Sequence, residues 1–395
     1  MRSLLTIFGL AGLLLLPPPA GAADSPTAGL VLNANRTGLA LLDREMERGT
    51  GNAAVSPANL SRALAILSMA GKGPGPDALR ARLLGPDARP AALPVALAAL
   101  DKALARPPAA DGAAPPLLQT AALWHAPDAV PVARPPKDLA ALIDGGPRPL
   151  KGVEDINGWV RQATAGRIPT LLDRLAEDTP MVLATALLFK DDWSFPFETS
   201  QTRPAPFTNA TGLAAEVEMM QREDRMLAVR DGSDGTIGVS LGYRNGYNLL
   251  LLLPPAGTPV AALLTPEGTL ADPAFMDGST YGRMSALLVL PRVQLTQRLE
   301  LTGPDAAMPD LIAGPLDLSR LLKGGPWPPG RAVHAVSLSW DEKGTELAAA
   351  TAIAASRGMS EDVREIRFDR PFLFLLRDGA TGLILAAGRV DSPKS

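Results

Sequence analysis

Apolar residues follow a helical period in the first half of the chain and a strand-like one in the second. Leu32, Leu39, Leu42 and Met46, spaced among Asn, Arg and Glu, predict an amphipathic helix over residues 30–48. After a short break at 52–57, Ser56 and Pro57 open a second helix, Ser56 as N-cap and Pro57 at the first helical position. Its apolar positions are Leu60, Ala63, Leu64 and Leu67. Residues 81–105 read as an Ala/Leu-rich helix punctuated by prolines, 107–116 as loop and 119–125 as a strand. A proline-rich connection of low definition follows over 127–149, then a helix over 153–165 closed by Gly166.

From residue 181 the pattern changes. Met181 to Phe189 is continuously apolar, the mark of a strand buried on both faces. Residues 207–220 and 226–230 read as strands with Gly212 and Gly232 at turns, and 248–253 as a buried strand stopped by Pro254 and Pro255. Strands over 283–290, 292–300, 332–340 and 372–390 complete the second half. No internal repeat is visible, and the two halves are too interwoven to separate. The expectation is an α+β domain.

One stretch fits neither pattern. Residues 347–355 are nearly all Ala or Thr, with Leu347 and Ile353 as the only larger groups, and Arg357 stands alone behind them. Ala is the best helix former, so an exposed helix capped by Thr345 is one reading. The other is a strand in waiting. Alternation from Thr345 puts Thr345, Leu347, Ala349, Thr351, Ile353 and Ala355 on one uncharged face, and Glu346 with four alanines on the other. Gly344 gives backbone freedom in front, and no proline interrupts residues 344–358.

Composition narrows the chemistry. The 395 residues include no cysteine and only two histidines, His125 and His334, which leaves little for zinc sites, thiolate chemistry or a Ser-His-Asp triad. There is no G-x-S-x-G, H-E-x-x-H or phosphate loop, so no enzyme and no cofactor is expected. A net charge of −3 with mixed signs argues against nucleic acid. Residues 1–22 carry Arg2, an apolar run from Leu4 to Leu16 and small residues at 20–22, which predicts a signal peptide and export. The run is too short for a membrane span, so a soluble secreted or periplasmic protein is expected.

Several segments, taken in order, resemble the serpin family. They are Asn52 with Ser56-Pro57; Ile156 to Val160 with Thr164 to Ile168; Ala186 to Trp193 with Phe195 to Phe197 and Thr202; Glu218 to Gln221; Asp341 to Glu346; and Phe368 to Phe374, with Gly388 to Val390 closing the chain. Six such motifs in sequence are specific where one would be weak. The resemblance is to a bacterial-type, exported member, a single domain over 23–395 with N-terminal helices packed on a large mixed central sheet. It also implies further sheets and an exposed reactive-centre loop over about 342–367.

The function so implied is suicide inhibition of a serine protease by a monomer. The protease cleaves the loop, stays acylated, and the loop inserts into the central sheet. The implied hinge is Glu342, Gly344, Thr345, Glu346, Leu347, Ala348, Ala349 and Ala350. The reactive bond falls among Arg357, Gly358 and Met359. Arg357 suits a trypsin-like pocket and is favoured, while Met359 suits an elastase- or chymotrypsin-like one. The resemblance also implies a polar cluster under the opening sheet, here Ser56, Asn59, Thr185 and His334, with Trp193 where insertion starts. His125 reads as structural. A non-inhibitory serpin with a binding or chaperone-like role is the alternative.

Overall fold

The computed structural model describes residues 27–106, 115–176, 178–303, 306, 308–312, 314–328, 330–345 and 363–393. In chain order it runs α1 (Ala28–Glu47), β1 (Ala53–Val55), α2 (Pro57–Met69), α3 (Pro74–Leu84), α4 (Ala92–Leu104), β2 (Leu117–His125), β3 (Val130–Pro131), α5 (Lys137–Ala140), β4 (Arg148–Pro149) and α6 (Val153–Ala163). Strands then dominate: β5 (Met181–Phe189), β6 (Asp191–Asp192), β7 (Arg203–Thr208), β8 (Ala214–Asp231), β9 (Ile237–Gly242), β10 (Tyr247–Leu253), β11 (Gly282–Pro291) and β12 (Val293–Glu300). The last are β13 (Leu322–Lys323), β14 (Arg331–Trp340), β15 (Gly344–Thr345), β16 (Arg364–Arg367), β17 (Phe372–Asp378) and β18 (Ile384–Val390). The α+β architecture read from the sequence is the one observed.

Two sheets carry the fold. One runs β1-β18-β17-β10-β9-β8-β11-β16 with β7 on β8, and the other β4-β2-β5-β14-β15-β6 with β12 on the far edge of β14. In the second sheet β5 and β14 are parallel neighbours, in register from Val182 opposite Arg331 to Leu187 opposite Val336. Beyond that the ladder ends. The place beside Trp340 is taken by Thr345, which also pairs with Asp191 of β6.

Each face of this sheet has its own cover. On one side α2 packs into the main core, and its whole length is buried except Arg62. Its start is fixed by Ser56, whose hydroxyl accepts from the Asn59 N–H, with Pro57 supplying a helical φ at the first position. On the other side α6 lays Ile156, Trp159 and Val160 over a floor of small residues, among them Ala122, Ala184, Ala186 and Ala335. Trp124 and Trp159 meet edge to face at 5.6 Å there.

Four sequence readings need correction. Residues 81–105 are two helices, because Gly85 adopts φ 98° and the segment to Arg89 holds two further turn formers. The strands expected at 207–220 and 226–230 are β7 followed by one unbroken 18-residue β8. The charged run Gln221 to Arg225 does not break it, since Arg222 and Asp224 share a face and pair at 2.9 Å. Strand β9 went unread behind its two glycines; a Cβ on Gly238 would stand 2.8 Å from the Tyr281 hydroxyl. The connection over 127–149 is ordered, with β3 on β13, β4 on β2, and Leu139, Leu142 and Ile143 buried at helical spacing.

Candidate functional site: the closed sheet and the root of the loop

Two polar groups sit on the β5–β14 seam. The lower one centres on His334, fully buried in the middle of β14. Its Nε2 accepts from the Ser56 backbone N–H at 2.8 Å, so the ring proton is on Nδ1, which reaches Thr185 Oγ1 at 3.3 Å. Thr185 is the residue directly opposite His334 on β5. Burial pushes the imidazole down to about 4, so it is neutral at ordinary pH. The seam is thus bridged to α2 by one ring that must stay uncharged to make both bonds.

Asn59 stands one step away. Its N–H goes to Ser56 Oγ at 3.1 Å, while its side-chain oxygen accepts from Gln119 Nε2 on β2 at 3.2 Å. The group therefore runs Gln119, Asn59, Ser56, His334, Thr185, and spans β2, α2, β14 and β5.

Trp193 belongs to the upper group, not to His334. Its indole stacks on Tyr243 at 4.3 Å, and its Nε1 donates to the Asp341 carbonyl at 2.8 Å. The Trp193 and Phe197 N–H groups donate to the Lys343 and Glu342 carbonyls. The Tyr243 hydroxyl, pushed well up by burial, hydrogen-bonds Thr345 Oγ1 at 2.6 Å. Three consecutive residues, Asp341, Glu342 and Lys343, are thereby pinned by their carbonyls before Gly344 and Thr345 enter the sheet.

Glu342 is the buried charge of this group. Arg292 holds it through Nε at 3.0 and 3.1 Å and Nη2 at 2.7 Å, and Thr202 donates its hydroxyl to the same carboxylate. Burial raises the Glu342 carboxyl, but these bonds outweigh it and hold the group below its ordinary value. Gly344 is required for space rather than for its φ. A Cβ would lie 2.2 Å from the Asp191 carbonyl oxygen and 2.7 Å from Asp192 Cα.

A family model described as Serpin (serine protease inhibitor) matches residues 33–393. The chain belongs to the serpin family. This serpin is 29% identical over 250 residues to alpha-1-antiproteinase S of Cavia porcellus, covering 62% of this chain and 60% of that one. It is 33% identical over 244 residues to serine proteinase inhibitor 2.4 of Apodemus sylvaticus, covering 60% and 57%. The matched part spans about 60% of the length of these curated relatives. Among solved structures, human glycosylated kallistatin gives a TM-score of 0.80 at 22% identity, over 94% of this chain and all of that one. Human thyroxine-binding globulin in complex with thyroxine gives 0.79 at 21%, over 94% and 100%. At such identities the likeness to solved structures is one of fold.

Of the serpin residues expected from sequence, the structure brings Ser56, Thr185 and His334 together, with Asn59 attached through Ser56 and Gln119. Glu342, Gly344 and Thr345 lie at the loop root with Trp193. Glu346, Leu347, Ala348, Ala349, Ala350, Arg357, Gly358 and Met359 fall outside the described residues, as does the segment 1–22. His125 is buried at the end of β2, its Nδ1 2.8 Å from the Ala126 carbonyl oxygen. Sequence reading missed Gln119, Arg292 and Tyr243 as site residues. Arg292 gave no local signal, because its partner is 50 residues away. No helix among the described residues is long and apolar enough to cross a membrane.

Proposed function

We propose that this serpin is an exported suicide-substrate inhibitor of a trypsin-like serine endopeptidase, with Arg357 as the residue before the cleaved bond. The observation that carries the reading is the double pairing of Thr345. Trp340 opposite Thr345 fixes one antiparallel register, and Asp191 opposite Thr345 fixes another. Continued in step, both bring residue 351 to the same level, opposite His334 on β14 and Thr185 on β5, which are already partners in the closed sheet. Two independent ladders therefore agree on one slot for one new strand.

The faces agree as well. In that register Leu347, Ala349, Thr351 and Ile353 turn toward α2, where Thr351 supplies a hydroxyl to the His334–Thr185 pair. Ala348, Ala350, Ala352 and Ala354 turn toward α6, under which only small side chains fit beside Ala184, Ala186 and Ala335. Insertion separates the six β5–β14 residue pairs and offers each strand a new antiparallel neighbour. The persistence of the closed form is then kinetic.

Chemically, the protease's serine Oγ attacks the Arg357 carbonyl carbon. The Arg357–Gly358 amide breaks, the serine proton passes to the departing Gly358 amine, and Arg357 is left as a serine ester. Insertion before hydrolysis carries the ester-linked protease away from its loop position. The chain acts as inhibitor and not as catalyst, and residues 1–22 direct it out of the cytoplasm.

A second reading is a non-inhibitory binding serpin. It is favoured by the likeness to thyroxine-binding globulin and by Leu347, which the register sets against Phe189 and Leu338, both buried. Incubation with trypsin separates the two. Inhibition gives an SDS-stable complex together with a released peptide beginning at Gly358; cleavage without a complex supports the second reading. A first released residue of Ser360 would move the bond to Met359 and favour an elastase- or chymotrypsin-like target.

A further inference from the structure

No step of that inhibitory cycle uses the cavity on the far side of Trp193. It lies between the middle of β8, the end of β9, the segment after β6 and the turn at Gly278–Thr280, and its volume is about 310 Å³. Trp193, Phe195, Met226 and Leu241 form its apolar wall. Phe195 and Met226 are 70% and 64% exposed, and only six large hydrophobic side chains are exposed among the described residues. Scattered exposed hydrophobics need no explanation, but two of six converging on one cavity mark a binding surface.

Part of the polar lining is unengaged, although Ser279 bonds Asp277 and Arg222 bonds Asp224. The side chains of Ser194, Ser240 and Asn248 make no hydrogen bond within the described residues. Two glycines keep the space open. A Cβ on Gly242 would stand 3.5 Å from Ser194 Oγ and 3.8 Å from Asn248 Oδ1, and one on Gly278 would stand 2.4 Å from Ser240 Oγ. The charge is one-sided. Of the charged groups in the lining, Arg222 and Asp224 neutralise each other at 2.9 Å. Arg283 remains, donating only to the Met226 carbonyl at 3.2 Å and with no carboxylate partner among the described residues.

We propose that this cavity binds a small amphipathic anion, one or two aromatic rings carrying a single carboxylate. The rings lie against Trp193 and Phe195, the carboxylate takes the free N–H groups of Arg283, and Ser194, Ser240 and Asn248 serve further polar atoms on the ligand. Arginine suits this role because its planar fork matches a carboxylate. The volume lies at the small end of ligand pockets, roughly 300 to 1,000 Å³, which limits the ring system to that size. A bound molecule would touch the same indole that holds the Asp341 carbonyl. The binding itself does not depend on the inhibitory reading.

The test is titration of the full chain with 2-naphthoate, with 2-naphthamide as the neutral control, followed by calorimetry and tryptophan emission. Saturable binding of one equivalent of 2-naphthoate with Kd on the order of 0.1 mM is expected. The Arg283→Ala variant should weaken 2-naphthoate about tenfold and leave 2-naphthamide unchanged. Ser240→Phe, which fills the cavity, should abolish binding of both. If that variant does not fold, the exposed Phe195→Ser change takes its place, with weakening of both probes expected. Absence of saturable binding, or unchanged 2-naphthoate affinity in either the arginine or the cavity variant, overturns the proposal.

Discussion

Arg292 closes on Glu342 with two nitrogens, and Glu342 in turn sits at the point where the chain leaves β14 for the loop. The carboxylate is nearly inaccessible while the guanidinium is one-third exposed, so the pair is half in water. Removing Glu342 leaves Arg292 and the Thr202 hydroxyl without their common acceptor and frees the loop root. Glu342→Ala should lower the barrier to sheet opening, equivalent to about 1–3 kcal/mol of lost native stability. Unfolding rates in denaturant and native gels for oligomers check this. An unchanged unfolding rate would remove the pair from the account.

His334 ties stability to acid. The imidazole is held at about 4 in the folded protein against 6.5 for a free one, so the folded state resists protonation. Its contribution is fully present above pH 6.5 and is lost as the pH falls from 6.5 toward 4, at most about 3 kcal/mol. The lowered Glu342 carboxyl adds a further loss at the acid end of that range and below. His334→Gln should flatten the stability profile between pH 6.5 and 4, measured as unfolding rate against pH. A wild-type profile flat across that window would count against a neutral, buried His334.

Gly344 is the strictest position at the root. Any side chain meets the Asp191 backbone, which is itself a ladder partner and cannot retreat. Gly344→Ala should therefore displace Thr345 from Trp340 and Asp191. Complex formation with trypsin should slow at least about tenfold, while simple cleavage of the loop continues. Stopped-flow rates and the ratio of complexed to cleaved product distinguish the two.

The Trp193 side chain is held by stacking and by one hydrogen bond. Trp193→Phe keeps most of the ring contact with Tyr243 but loses the bond to the Asp341 carbonyl. A cost of about 1 kcal/mol is expected, seen as faster unfolding with little change in overall fold. An unchanged unfolding rate would show that the bond to the Asp341 carbonyl does not hold the loop root.

The sequence made the scaffold legible where periodicity was strong. Met181 to Phe189 declared a strand buried on both faces, and Ser56 with Pro57 declared the start of α2. Where charge crossed a strand, as at Arg222 to Asp224, the pattern broke though the strand did not, because the two side chains neutralise each other. The site was only partly legible. Ser56, Thr185 and His334 come from ordered motifs, and Trp193, read from sequence as standing where insertion starts, lies at the loop root apart from His334. Pairings such as Arg292 with Glu342 and Gln119 with Asn59 join residues 50 and 60 apart, and nothing local announces them.

The proposed inhibition requires β5 and β14, paired in the closed sheet, to part and take the chain after Thr345 as a new strand between them. The most direct measurement is the thermal midpoint of the intact protein against the same protein cleaved at Arg357. Thr351→Glu, which would bury a charge between His334 and Thr185, is treated alike. Cleavage should raise the midpoint of the natural sequence by roughly 20 °C or more and leave that of the Thr351→Glu variant unchanged. Equal midpoints for the intact and cleaved natural protein would contradict it.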